Sequence, residues 1–188
     1  RYGGNTTCVS VGIPGHTLIL DAGSGIRNLG WELMQERPVR ASLFFSHLHW
    51  DHIQGFPFFA PCFSPDSVLD LYGGAHKESG ITLEQALRAQ QNPAHFPVPL
   101  GEISARLTFH ELQAGRSVEL PGESSKLVVT PQPVRHPMGC YGFRIEEFAP
   151  GRSAAFVFAT DIEHRDERPQ LSKLARDAQL LAYDAQYT

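Results

Sequence analysis

The strongest constraint in this sequence is a histidine-rich segment at residues 46–52, with the sequence SHLHWDH. It directly follows the apolar run LFF at 43–45, which is typical of a strand buried on both faces. Imidazole and carboxylate groups are ligands that suit Zn²⁺, Mn²⁺ or Fe²⁺. A histidine-rich surface turn is the alternative interpretation. Four potential ligands crowded beside a buried strand favour a metal site.

The spacing within this segment suggests how the ligands divide. If the chain leaves the strand in a tight loop, His47 and His49 point the same way and can bind one ion. Asp51 and His52 stand at the opening of the next element and can serve a second ion a few ångströms away. The sequence therefore predicts His47, His49, Asp51 and His52 as metal ligands.

Composition places the chain among ordinary globular proteins. Its 188 residues fit one domain with a real core, and 41% are hydrophobic. The net charge of −4 argues against a broad surface for polyanions such as long nucleic acids. The three cysteines show no C-x-x-C spacing and indicate reduced thiols in a cytoplasmic protein. No apolar run approaches the length of a membrane span.

Hydrophobic periodicity predicts a chain of mixed α and β structure. Helices are expected from Ile26 to a stop at Pro38, from the capping-box sequence TLEQ at 82–85, and over 169–178. Strands are expected at 7–11, 17–20, 43–45, 68–72, 106–111, 126–130, 141–145, 155–160 and 180–183.

Two further segments admit more than one interpretation. The run GFPFFAP at 55–61 could pack in the core or form a pocket wall. Residues 92–100 carry three prolines and are too irregular for a helix or strand, so they could form a lid or a partner surface such as a homodimer interface.

The pattern His-x-His-x-Asp-His is the signature of the metallo-β-lactamase superfamily, and the chain resembles its phosphodiesterase branch. That branch includes the ribonuclease Z enzymes, which process tRNA, and hydrolases of cyclic phosphates. Further landmarks stand in the expected order: YGGNT at 2–6, LDAGSG at 20–25, HIQG at 52–55 and ATD at 159–161. The resemblance implies an α+β fold, the αββα sandwich of two mixed β-sheets with helices on the outer faces. It implies one domain over 1–188 that lacks its first strand and C-terminal end.

The resemblance also implies the other ligands and the cofactors. His136 would join His47 and His49 on the first ion, and Asp161 would bridge both ions. The two divalent ions would be zinc, with manganese or iron as alternatives. From the residues alone, His136 could be an ordinary loop histidine and Asp161 a turn or helix-capping carboxylate. The family's final ligand histidine is not found before Thr188.

Four residues are given roles beside the metals. Asp21 would accept the N–H of a ligand histidine and fix its tautomer, unless it is only a turn aspartate before glycine. Asp51 is also a catalytic candidate, because it could orient the attacking water or take its proton. His164 could contact phosphate or deliver a proton, or it could be a surface histidine. Tyr183 stands where ribonuclease Z has a histidine that protonates the leaving group, and it is predicted to bind substrate.

The resemblance thus implies a metal-dependent hydrolase, namely a dinuclear-zinc phosphodiesterase acting on small phosphodiesters, cyclic ones included. The negative net charge makes nucleic acid a less favoured substrate. One alternative is a lactone or thioester hydrolase of the same fold. Another is a non-catalytic module that binds metal and senses a ligand.

Overall fold

The structure is a computed structural model, and it describes residues 3–76, 78–163 and 168–183. Its contacts cluster into two compact units. Unit 1 comprises Arg1–Gly12 with Thr17–Glu111, and unit 2 comprises Ile13–His16 with Leu112–Thr188. None of the helices in the described ranges is long and apolar enough to cross a membrane.

A five-stranded sheet of order β1-β2-β3-β4-β5 forms the framework of unit 1. The first two strands are joined at Pro14-Gly15, and β2 to β5 run parallel. Parallel strands place their carboxyl ends at one edge, where ligand sites of such sheets are commonly found. The strands are β1 (Val9–Ile13), β2 (His16–Leu20), β3 (Arg40–Phe44), β4 (Val68–Gly73) and β5 (Arg106–Glu111).

Helices α1 (Ile26–Leu33), α2 (Trp50–Ile53) and α3 (Leu83–Gln90) also belong to unit 1. The predicted capping box begins α3: the Gln85 N–H donates to Thr82 Oγ1, and the Thr82 N–H donates to the Gln85 side chain. Apolar side chains from the sheet and helices form one buried cluster. It includes Ile19, Ile26, Leu43, Phe45, Phe56, Phe59, Leu69, Leu71, Leu83 and Leu87.

Unit 2 is built on a second five-stranded sheet, of order β10-β9-β8-β7-β6. Its strands are antiparallel except for β10, which pairs with β9 in parallel. Its elements are β6 (Val118–Pro121), β7 (Lys126–Val134), β8 (Cys140–Ala149), β9 (Arg152–Ala159), α4 (Arg168–Leu174) and β10 (Leu180–Tyr183). The chain therefore contains two mixed sheets, as predicted.

Several elements of unit 2 differ from the sequence prediction, and β8 and β9 are both longer than predicted. Strand β6 was not predicted, and β7 continues past residue 130 to Val134. The last helix ends at Leu174 instead of residue 178. An arginine explains that early end, because Arg144 Nη1 donates to the carbonyl oxygens of Leu174 (2.9 Å) and Arg176 (2.8 Å). Asp177 then adopts a left-handed backbone conformation, φ +58°.

Candidate metal site

The histidine-rich segment leaves the carboxyl end of β3 and runs into α2. His47 and His52 are buried, whereas the Asp51 side chain is 57% exposed. The ring centroid of His47 lies 4.5 Å from that of His49 and 4.2 Å from that of His52. A ring nitrogen of His47 lies within 4.8 Å of one on each of these two histidines. The structure thus brings the three imidazoles together.

A buried carboxylate at the end of β2 orients this group. Asp21 accepts hydrogen bonds from the Ser46 N–H (2.7 Å) and the Ser46 hydroxyl (2.8 Å). Its Oδ2 lies 2.7 Å from His52 Nδ1. Asp21 itself has φ +61°, a conformation that non-glycine residues seldom adopt and that marks functional sites more often than others.

The bond to Asp21 decides which His52 nitrogen is available. With its proton on Nδ1, His52 donates to the carboxylate and keeps the lone pair of Nε2. That Nε2 lies 3.4 Å from Asp51 Oδ2. Burial raises the pKa of Asp21, and the bonds from His52 and Ser46 oppose that rise. Clustered imidazoles with a carboxylate behind one of them fit a divalent ion such as zinc.

Two glycines allow the backbone segments around this site to cross closely. A Cβ on Gly55 would stand 2.1 Å from the carbonyl oxygen of Gly23. A Cβ on Gly23 would stand 2.5 Å from the Asp51 carbonyl oxygen. Reciprocal bonds of 2.8 Å join Thr6 and Ser24, each N–H donating to the other hydroxyl. Three of the sequence landmarks therefore meet around α2, which explains their glycines sterically.

The other two predicted ligands belong to unit 2. His136 follows β7 and Asp161 follows β9, and both are half-buried. Asp161 has φ +54°, so this strand also ends in a left-handed aspartate. The Glu163 N–H donates to the Arg135 carbonyl oxygen (2.9 Å), and the two side chains form an ion pair of 3.0 Å. These contacts hold the two ligand-bearing loops together within unit 2.

The remaining predicted site residues have different outcomes. His164 lies outside the described residues. Tyr183 is the last residue of β10 and is exposed. Ser46 was not among the predicted site residues, yet its hydroxyl donates to Asp21 and its Oγ lies 3.0 Å from His47 Nδ1. The only signal in the sequence for a role of Ser46 was its position directly before His47.

A family model described as a beta-lactamase superfamily domain matches residues 16–188. The chain belongs to the beta-lactamase superfamily. Its match begins at β2 and includes every predicted site residue.

Individual relatives agree with this assignment. Ribonuclease BN from Cronobacter sakazakii is 34% identical over 113 residues, covering 56% of this chain and 31% of that protein. The chain thus spans about a third of the length of that relative. The structure of the metallo-beta-lactamase fold protein YhfI from Bacillus subtilis matches with a TM-score of 0.62 at 19% identity, covering 96% of this chain and 64% of that one. A diphosphatase from the PhnP family matches with a TM-score of 0.59 at 19% identity, covering 94% and 59%. These structures confirm the predicted metallo-β-lactamase fold.

Proposed function

We propose that this protein is a dinuclear metal-dependent phosphodiesterase that uses zinc and hydrolyses small phosphodiesters, cyclic ones included. The observation that carries the proposal is the hydrogen bond of 2.7 Å that the buried Asp21 carboxylate accepts from His52, within a group of three imidazoles. A buried carboxylate that fixes the tautomer of a histidine is the usual support of a metal ligand. The resemblance to a ribonuclease and to a diphosphatase favours phosphodiesters among the substrates of this superfamily.

The proposed ligands are His47, His49, Asp51 and His52 in unit 1. His136 and Asp161 in unit 2 are predicted to complete the set of metal ligands. When bound, a pair of divalent ions activates water and neutralises the negative charge on the phosphoryl oxygens.

The protein side chains supply orientation and proton transfer. Asp21 and Ser46 hold His52 so that its Nε2 faces Asp51. Because the Asp51 side chain is 57% exposed beside the buried histidines, it is accessible to an attacking water and can accept its proton. His164 remains the predicted donor of a proton to the leaving group, and Tyr183 the predicted substrate contact.

The proposal is tested by assaying the metal-loaded protein on bis(p-nitrophenyl) phosphate beside a lactone, a thioester and a β-lactam. We expect the phosphodiester to be hydrolysed fastest, and Asp51→Ala to abolish that activity. Asp66→Ala is a matched control, because Asp66 is an exposed aspartate outside the candidate site. Preferred hydrolysis of the lactone or thioester would contradict the proposed substrate class, and metal binding without any hydrolysis would favour a sensing module.

Two finer aspects of the proposal concern location and assembly. A cytoplasmic location is supported by the three cysteines, Cys8, Cys62 and Cys140, which are thiols and not disulfides. The homodimer stays a prediction, and sedimentation equilibrium of the purified protein tests it.

A further inference from the structure

Helix α2 is too short to fix its own position. It has four residues, Trp50–Ile53, and it carries the candidate ligands Asp51 and His52. A backbone bond from the Gln54 N–H to the Trp50 carbonyl oxygen (2.7 Å) closes its turn. A single helical turn is unstable by itself, because one hydrogen bond does not offset the entropy lost in fixing its residues. Contacts from other segments must therefore set the orientation of α2.

The segment that follows β2 provides the first of these contacts. The Ala22 N–H donates to the His52 carbonyl oxygen (2.8 Å), and the Gly55 N–H donates to the Ala22 carbonyl oxygen (2.9 Å). Together with the bond between Asp21 and the His52 ring, they hold His52 through both its backbone and its side chain. The Asp51 side chain is 57% exposed, so its direction depends largely on how the helix itself is oriented.

A glutamine on α3 attaches to the last turn of α2. Gln90 lies on the buried side of α3 with Leu83 and Leu87, and its Nε2 donates to the Ile53 carbonyl oxygen (3.0 Å). Carbonyl oxygens in the last turn of a helix have no partner within that helix, so this bond satisfies one of them. Ile53 and Gln90 are only 4% and 7% exposed, and water therefore competes little for the bond.

A second glutamine attaches the end of α2 to the N-terminal segment. Gln54, the residue directly after the helix, donates through Nε2 to Thr6 Oγ1 (3.0 Å). The same oxygen accepts from the Ser24 N–H (2.8 Å), while Ser24 Oγ accepts from the Thr6 N–H (2.8 Å). The Thr6 hydroxyl is thus held in place by the segment that also supplies Asp21.

We propose that Gln54 and Gln90 are positioning residues that hold α2 so that Asp51 and His52 keep the geometry needed to bind metal. The inference rests on the proposed function and adds to it two residues outside the ligand set. A functional group of side chains must be held within about 0.5 Å of its productive geometry, and one short turn cannot ensure this alone. The two amides act through the helix, because one bonds its last turn and the other bonds the segment beside it.

Zinc affinity, measured by competition with a chelating dye, tests the proposal without requiring hydrolysis. Gln54→Met and Gln90→Met remove the amides and keep the length of the side chains. Each should lower zinc affinity by about 2- to 10-fold, the effect of one lost hydrogen bond. Gln85→Met is the matched control, because Gln85 accepts from the Thr82 N–H (2.9 Å) at the other end of α3. It should bind zinc with wild-type affinity.

The acceptor of the Gln54 bond allows a test by rescue. Thr6→Val keeps the shape of the side chain and removes the hydroxyl, whereas Thr6→Ser retains it. Thr6→Val should weaken zinc binding at least as much as Gln54→Met does, and Thr6→Ser should bind zinc with wild-type affinity. The loss in the double variant Thr6→Val with Gln54→Met should be smaller than the product of the single losses, because both changes break the same bond.

Thermal unfolding of the metal-free proteins separates positioning from general destabilisation. Gln85→Met should lower Tm without weakening zinc binding, whereas the variants of Gln54 and Gln90 should weaken zinc binding. At saturating zinc, these two variants should lower kcat on bis(p-nitrophenyl) phosphate and change KM little, because Asp51 is the proposed base. Unchanged zinc affinity in either of them, or an equal loss in Gln85→Met, would overturn the proposal.

The outcomes also distinguish this inference from the proposed function. Weaker zinc binding by both variants of a protein that hydrolyses no phosphodiester would keep the positioning role and remove the phosphodiesterase. Phosphodiester hydrolysis by variants with wild-type zinc affinity would remove the positioning role and leave the phosphodiesterase.

Discussion

Replacing Asp21 by asparagine exchanges one carboxylate oxygen for an NH₂ group and keeps the size of the side chain. The carboxylate accepts from the Ser46 N–H and hydroxyl and from His52 Nδ1, at 2.7, 2.8 and 2.7 Å. An asparagine can still accept from the Ser46 N–H, but its NH₂ group would point at His52. His52 would then carry its proton on Nε2, the nitrogen that faces Asp51, and that nitrogen could not bind an ion.

The expected cost falls on metal affinity more than on folding. Loss of a carboxylate that orients a ligand histidine lowers metal affinity by about 10- to 100-fold, which is about 1.4–2.7 kcal/mol. Burial raises the pKa of Asp21, because the charged carboxylate is costly to remove from water. A neutral asparagine avoids that cost and partly offsets the lost hydrogen bonds. The folded protein should therefore remain available for the metal measurement.

The assay is Zn²⁺ affinity by competition with a chelating dye, on wild type, Asp21→Asn and a matched control. Asp70→Asn is that control, because Asp70 Oδ1 lies 2.8 Å from His110 Nε2 and neither residue is a candidate ligand. We expect Asp21→Asn to bind zinc about 10- to 100-fold more weakly than wild type and Asp70→Asn to bind it with wild-type affinity. Wild-type affinity in Asp21→Asn, or equal losses in both variants, would refute the reasoning.

Three smaller changes test the surrounding structure. Gly55→Ala places a Cβ against the Gly23 carbonyl oxygen and should lower the free energy of unfolding by about 3 kcal/mol or more, and Tm by about 5 °C or more. The control Gly12→Ala, which has open space around its Cβ, should leave Tm unchanged. Equal Tm values for the two variants would contradict the close crossing. Thr82→Ala removes the capping box of α3 and should lower the free energy of unfolding by about 1 kcal/mol in urea denaturation, and no change would argue against the cap. Burial, helped by the charge of Asp21, raises the pKa of Cys8 to about 12, so its alkylation by iodoacetamide should be very slow near neutral pH and accelerate as the pH approaches that value. Rapid labelling of the Cys8 peptide near neutral pH, followed by mass spectrometry, would contradict the burial.

Much of the fold could be predicted because its signals are local. The apolar run before the histidines predicts β3, and the TLEQ sequence predicts the start of α3, each from adjacent residues. Strand β7 could not be predicted in full, since Pro131 and Pro133 break the usual pattern of a strand. The sheet tolerates them because β6 pairs only with Lys126–Val129 of β7. Beyond Val129, no described strand pairs with this edge of β7, so the N–H groups that the two prolines lack are not needed there. The Gly115 N–H donates to the Pro131 carbonyl oxygen instead.

The site shows the same division between local and long-range information. Spacing alone predicts that His47 and His49 meet, because two residues of extended chain place their side chains on one side. The bonds of Ser46 to Asp21 and the pairing of His110 with Asp70 join residues 25 and 40 positions apart. Such contacts depend on which strands become neighbours in the sheet. His110 lacked any partner at ligand spacing in the sequence, yet it stacks on Tyr72 and bonds Asp70 across β4 and β5.

The most direct test of metal-dependent phosphodiester hydrolysis is activity on bis(p-nitrophenyl) phosphate measured against the metal content of the protein. Chelated protein is reloaded stepwise with Zn²⁺, and bound zinc per chain is determined by elemental analysis at each step. We predict negligible activity in the chelated protein and a rise to a maximum at about two ions per chain. Activity that persists after exhaustive chelation, or that is unchanged by added zinc, would contradict it.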